Sequence, residues 1–158
     1  MSMTDELSSN TARDGDDEHI RQILEEAAAL TGMGFVAVAR VTDTRWIACQ
    51  VLDQIDFGMS PGDELRISTT ICSDIRETGN TVVIDDVSAD QRWCRHPAPA
   101  LYGFKSYVSL PIVLADGSFY GTLCAIDPQP RKLTHPGIVP ALINFAARLA
   151  AILSQRRP

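Results

Sequence analysis

Residues 107–114 read YVSLPIVL and residues 119–126 read FYGTLCAI, with Ala115-Asp116-Gly117-Ser118 between them. Both runs are short, apolar and rich in β-branched and aromatic residues, and Asp-Gly is the strongest short-range hairpin signal. Two paired strands are therefore expected here, with Gly117 at positive φ. Pro111 removes one ladder donor, so its strand is an edge at that point or bulged. Gly121 takes a side chain out of the second strand, which permits a close backbone approach or a bulge. Asp127-Pro128 ends that strand, and the Asp127 carboxylate is placed to receive N–H groups of the turn that follows.

Working toward the N-terminus, Val82-Val83-Ile84 is a further short buried strand. FVAVARV (35–41) and WIACQVL (46–52), joined by Thr42-Asp43-Thr44, form a second hairpin. FGMSPGD (57–63) is a loop by its Gly and Pro content. Ser68 caps a short helix through about Thr78, with Ile71, Cys72 and Ile75 as its apolar face and Gly79-Asn80 as its stop. Asp85 to Gly103 is a long connection with two prolines, and loops of this length in small domains are more often functional than idle.

Helices flank this core. Asp16 and Asp17 cap a helix whose face is Ile20, Ile23, Leu24, Ala27 and Leu30, ended by Gly32 and Gly34. A last helix runs from Pro136 or Pro140 to Gln155, with Leu142, Phe145, Ala146, Leu149, Ile152 and Leu153 as its stripe. Residues 1–15 are polar and aperiodic and read as a disordered acidic tail, leaving 16–156 as a single domain.

The order implies an α+β fold with a central antiparallel sheet. The terminal helices would pack on one face, and the short helix and long loop would roof a pocket on the other. The chain has 158 residues, 45% of them hydrophobic and 22% charged, the mixture of one globular domain. Its formal charge is −6, of which residues 1–18 carry −5, so the remainder is almost neutral. Nucleic-acid and anionic-membrane surfaces are not expected on such a chain. The apolar run Phe145 to Leu153 contains Arg148 and falls short of the roughly 20 residues of a membrane span. With no basic, then apolar, leader pattern, the expected location is cytoplasmic.

The segments ICSDIRETGNTVVIDDVSADQRW (71–93) and GFKSYVSLPIVLADGSFYGTLCAIDPQP (103–130) together resemble the GAF domain family. The shared order is a helix with a Thr-Gly stop, a VVI-D strand, a D-x-R loop, an S-x-x-S-x-P-I strand, an Asp-Gly hairpin and G-x-L-x-A-I-D. With the flanking helices the resemblance covers roughly residues 18–156, and its phrasing is most similar to N-terminal sensory modules of bacterial histidine kinases. It implies a profilin- or PAS-like sheet and a non-catalytic sensor of a small ligand or of redox state. The signal would pass through the terminal helices to an output module, with the module acting as a homodimer through those helices.

The candidate ligand-binding residues are Trp46, Cys72, Trp93, Cys94, His96, Tyr102, Phe104 and Tyr107. The aromatics suit a ligand cavity and equally suit a core. Cys72 lies just after the start of the short helix, where the helix dipole lowers a thiol pKa. The free methionine sulfoxide reductases, also GAF proteins, place a cysteine near there. They carry a D-x-D-S strand end where this chain has Ala125-Ile126-Asp127-Pro128. Cys94-Arg95-His96 and Ser73-Asp74-Ile75 are similar to the bilin attachment site and bilin-site tripeptide of phytochrome-type GAF domains, with Arg95 intervening before the histidine. Reductase and bilin photosensor are thus the alternatives. No catalytic residues are assigned. Cysteines 49, 72, 94 and 124 make no C-x-x-C pair, and histidines 19, 96 and 135 add no zinc spacing, so no metal site is expected and no particular cofactor is implied. Cys49 and Cys124 read as small core residues. Arg66, Arg76, Arg92, Arg95 and Lys105 could supply a phosphate groove or simply a solvated surface.

Overall fold

The computed structural model describes residues 4–155. Helices α1 (Thr4–Gly15) and α2 (Glu18–Thr31) precede the hairpin β1 (Phe35–Val41) and β2 (Trp46–Asp53). There follow β3 (Glu64–Leu65), α3 (Cys72–Thr78), β4 (Val82–Ile84), α4 (Pro97–Tyr102), β5 (Ser106–Val113), β6 (Phe119–Asp127) and α5 (Ile138–Gln155). The six strands form one antiparallel sheet in the order β3-β2-β1-β6-β5-β4.

Strand alternation divides the apolar residues into two cores. Val36, Val38, Val108, Leu110, Ile112, Leu123 and Ala125 face α2 and α5. Their neighbours Phe35, Ala37, Ala39, Tyr107, Cys124 and Ile126 face the opposite side, under α3 and α4. In β2 the register passes from Val38↔Gln50 to Ala39↔Ala48, so Cys49 is the extra residue of a bulge. Cys49 therefore joins the helix-side core and Ala48 the other.

Local signals account for the element ends. Asp17 caps α2, accepting from His19 N at 2.7 Å and Ile20 N at 3.3 Å. Gly32 closes it in the left-handed region at φ +72°, its N–H bonding Ala28 O. The buried face of α2 is Ile20, Ile23, Leu24, Ala27, Ala28 and Thr31, whereas Leu30 is 38% exposed. Leu30 thus falls outside the stripe that the sequence assigned to it. Helix α5 buries Leu142, Ala146, Leu149 and Leu153, with Phe145 and Ile152 half-buried, and Arg148 reaches Glu26 of α2 at 3.2 Å.

The 115–118 turn has Gly117 at φ +87°, with its N–H on Leu114 O. Pairing of β4 with β5 stops at Val82↔Ser109, so Pro111 lies on an open edge, and the bulge comes one step later between Ile112 and Val113. A Cβ on Gly121 would lie 1.8 Å from Ala39 O, so the glycine serves close strand approach. Asp127 accepts from Gly34 N and Gln129 N, both at 2.8 Å, tying the start of β1 to the turn after β6.

Two expectations are corrected. Residues 4–15, read as part of a disordered tail, form α1 (residues 1–3 lie outside the described chain). The helix docks on β2 with few apolar side chains. Gly15 lets it sit where a Cβ would meet Cys49 O at 2.2 Å, Gln50 donates to Gly15 O, and Tyr120 OH donates to Asp14. The second concerns membrane spans. By length and composition α5 is long and apolar enough to cross a membrane, with a mean hydropathy of 1.5 over its 18 residues. Its buried stripe against β5 and α2 is equally that of a core helix.

Candidate functional site

The face of the sheet away from α2 and α5 carries a cleft of two compartments. An outer cleft of ≈ 700 Å³ opens between the loop after β2 and the end of α4. An inner chamber of ≈ 40 Å³ lies beneath it against the sheet. Phe57, Leu65, Tyr102, Phe104 and Ile126 border both, so the compartments adjoin.

The loop after β2 is built by one carboxylate. Asp53 accepts from Ile55 N at 3.2 Å, Phe57 N at 3.0 Å and Gly58 N at 2.8 Å. Burial would raise its pKa, but backbone hydrogen bonds from Gly58, Phe57 and Ile55 prevail and hold it below the usual value. The wrapped loop seats Phe57 against Phe35, with ring centroids 4.8 Å apart, and near Tyr102 at 6.0 Å. Asp56, at the lip, holds φ +55°, which is uncommon for a residue other than glycine. On the opposite wall His96 caps α4, its Nδ1 accepting from Ala98 N at 3.1 Å, while Gly103 closes the helix at φ +73°. Tyr102 OH hydrogen-bonds Thr69 Oγ1, joining α4 to the 3₁₀ turn Ile67–Thr69.

Acids dominate the outer lip: Asp56, Asp63 and Glu64 line it, and among the described residues no Lys, Arg or His does. Arg45 behind it donates to Glu64 at 2.6 and 2.8 Å and so holds that carboxyl below its ordinary value. The dispersed residues Arg66, Arg76, Arg92, Arg95 and Lys105 supply no basic groove to either compartment.

At the floor of the inner chamber lies Cys72, the first residue of α3. Its Sγ is 3.2 Å from Thr122 Oγ1, 3.4 Å from Tyr107 OH and 3.7 Å from Ser109 Oγ. Hydrogen bonding with Cys124 lowers its pKa to about 6 against the opposing effect of burial, assisted by Thr122, Tyr107 and Trp46. Cys124 is raised by the same hydrogen bond and by burial. Tyr107 is raised well above 10 by burial and stays a neutral donor. The thiol is thus tuned by side chains of the sheet, whereas the sequence pointed to a helix dipole. The helix involved is only seven residues long.

Of the residues nominated from sequence, Trp46, Cys72, Tyr102, Phe104 and Tyr107 come together around the chamber. Trp93, Cys94 and His96 line neither compartment. Trp93 is a buried wedge with Arg92 over its ring at 4.8 Å and His96 at 5.5 Å. Cys94 is exposed. Sequence reading missed Phe57, concealed in a Gly/Pro loop, and Cys124. Strand periodicity held the signal for Cys124, since Thr122, Cys124 and Ile126 alternate with the helix-side Leu123 and Ala125.

An α+β domain with terminal helices on one face of its sheet and a roofed aromatic cleft on the other has the architecture of a small-molecule sensory module. The GAF domain family model matches residues 17–156, and the chain belongs to that family. No curated protein matches it. Among solved structures it is similar to a methyl-accepting chemotaxis protein fragment, residues 122 to 287, at 22% identity and TM-score 0.65, covering 95% of this chain and 94% of that one. A type II free methionine-R-sulfoxide reductase from Thermoplasma acidophilum is 10% identical at TM-score 0.67, with coverage of 92% and 96%. The blue-light absorbing form of the Thermosynechococcus elongatus PixJ GAF domain is 12% identical at TM-score 0.66, with coverage of 99% and 90%. These likenesses concern the fold. GAF domains are in general sensory and ligand-binding modules.

Proposed function

We propose that this chain is a non-catalytic, cytoplasmic sensory module whose ligand enters the outer cleft and seats an apolar part over the inner chamber. The carrying observation is the two-compartment cleft on the sheet face opposite the terminal helices. A flat apolar body matches Phe57, Tyr102 and Phe104, and a cationic or hydrogen-bond-donating head matches Asp56 and Asp63. The acidic lip disfavours phosphates and carboxylates. Seating a ligand displaces Phe57 and α4, and the strands carry the shift to α2 and α5. From there it passes to an output module, of which a histidine kinase is the kind the sequence resemblance favours. The exposed strip of α5 around Ile143, Ala147 and Ala151 would join two copies in parallel. Among the alternatives, bilin attachment at Cys94, the position the resemblance points to, would fall outside the chamber lining. A reductase would lack a substrate-binding acid at the β6 end, where Asp127 is engaged by Gly34 and Gln129.

A thermal-shift and NMR titration with paired small aromatics, phenethylamine against phenylacetate, tests the reading. The amine should stabilise the protein and perturb residues 53–65 and 97–104, and Phe57→Ala should weaken the response. Preference for the carboxylate, or no response to either together with a bare-chain mass on freshly purified protein, would remove the ligand proposal.

A further inference from the structure

The floor of the inner chamber holds two thiols, and among the described residues no charged side chain lines it. Cys72 comes from α3 and Cys124 from the middle of the sheet, and both are buried and line the same cavity. The contacts of Cys72 Sγ locate it. It touches Thr122, two residues before Cys124 on the same face of β6, and Ser109, the cross-strand partner of Cys124. Those contacts surround Cys124, which lines the same chamber. Among the described residues no third His, Cys, Asp or Glu joins them as a metal ligand set, so the reactive partner of each thiol is the other. Neither Cys49, on the opposite face beside Tyr120, nor exposed Cys94 shares the chamber.

We propose that Cys72 and Cys124 form a reversible disulfide when a small hydroperoxide reaches the chamber, making this the redox-sensing element of the module. The chamber's size selects the oxidant. At ≈ 40 Å³ it admits a molecule of two or three heavy atoms, about the room of a few waters, and excludes a glutathione-sized disulfide. The Cys72 thiolate attacks the distal peroxide oxygen. An S–O bond forms, the O–O bond breaks, and the departing alkoxide or hydroxide takes up a proton. Cys72 becomes a sulfenic acid, oxidised by two electrons. The Cys124 sulfur then attacks Cys72 Sγ, the S–S bond forms and the S–O bond breaks, and hydroxide leaves with the Cys124 proton as water. Two thiols and one hydroperoxide give one disulfide, one alcohol (or water) and one water. The Tyr107 and Thr122 hydroxyls, 3.4 and 3.2 Å from Cys72 Sγ, are placed to donate to a thiolate there. The bond would pin the first turn of α3 to β6 and hold the roof against the chamber floor.

The consequence for signalling rests on the proposed role of the cleft, whereas the disulfide itself does not. The test uses the full chain carrying Cys94→Ser, treated with hydrogen peroxide, then denatured in N-ethylmaleimide and mapped by mass spectrometry. The expected result is one adduct, on Cys49, and a dithiothreitol-sensitive peptide joining Cys72 to Cys124. On the same background, Cys124→Ser should leave Cys72 as a sulfenic acid trapped by dimedone. The inference is overturned if Cys72 and Cys124 remain alkylatable at a peroxide dose that fully oxidises Cys94 in the unaltered chain, or if the cross-link involves Cys49. The wild-type-like mapping does not depend on the Cys124→Ser protein folding. A mapped cross-link in a chain that responds to neither phenethylamine nor phenylacetate and purifies at its bare mass would refute the ligand reading alone, and the reverse result would refute the disulfide alone.

Discussion

Replacing Gly121 by alanine should be one of the most damaging small changes available to this protein. The added Cβ would fall 1.8 Å from Ala39 O, 2.8 Å from Ala39 C and 3.0 Å from Arg40 Cα, all of them backbone atoms. No side chain can rotate away to relieve that contact. β6 would have to back off from β1 by about 1.5 Å to restore an ordinary carbon–oxygen separation of roughly 3.3 Å. That withdrawal comes at Arg40↔Gly121 and Ala39↔Thr122, in the centre of the sheet. Loosening two ladder hydrogen bonds costs about 1 kcal/mol each. Disturbing the packing on both faces adds about 1–3 kcal/mol. The expected loss is therefore about 3–5 kcal/mol, a large share of a typical domain's stability. Gly117→Ala is the control, since its φ is left-handed at +87°, unlike that of Gly121, and nothing lies within 4 Å of its Cβ position. It should cost only about 1–2 kcal/mol, from backbone strain. Urea titrations followed by far-ultraviolet circular dichroism compare the two directly. If Gly121→Ala were no more destabilising than Gly117→Ala, the β1–β6 register would be wrong.

Three further outcomes are expected. Burial lowers the pKa of His96 despite the attraction of Asp74, so the fold favours the neutral ring. The stabilisation is complete above about pH 6.5 and is lost as pH falls through the lower folded-state value, when a proton on Nδ1 removes the acceptor for Ala98 N. The Ala98 amide NMR shift should report this on acidification, and an unchanged titration of that shift in His96→Asn would count against it. Gly15→Ala should lift α1 from β2, so that amides of residues 6–15 exchange faster while those of α2 keep their protection; equal protection in both proteins would contradict the docking. The paired change Ala147→Glu with Ala151→Glu should halve the sedimenting mass if copies associate through α5, and a wild-type mass of one chain at tens of micromolar would dispose of that association.

The main sheet and its helices were legible because their signals are local. Asp17 and Gly32 mark the ends of α2 by side-chain capping and positive φ, and Asp116-Gly117 marks the β5–β6 turn. Helix α1 escaped notice because polar contacts and a missing Cβ at Gly15 hold it, neither of which leaves a hydrophobic period. Helix α4 was hidden in HPAPALY, where the prolines suggested a loop. Pro97 stands in the first turn, where its absent N–H has no helical partner to lose, and His96 supplies the cap. At the site, Tyr107 and Cys72 were visible as residue types. Their meeting with Cys124 is long-range, since it depends on how α3 is laid across β5 and β6.

Successive residues of β6 serve opposite sides of the sheet. Leu123 and Ala125 belong to one core, while Cys124 and Ile126 belong to the other. The boundary between the two cores is therefore one peptide thick. For protein engineering this makes the cleft side a replaceable cassette. Phe57, Tyr102 and Phe104 can be exchanged to suit another ligand without touching any residue that packs against α2 or α5. Such a redesign would inherit its coupling to the terminal helices from the unaltered backbone of β6.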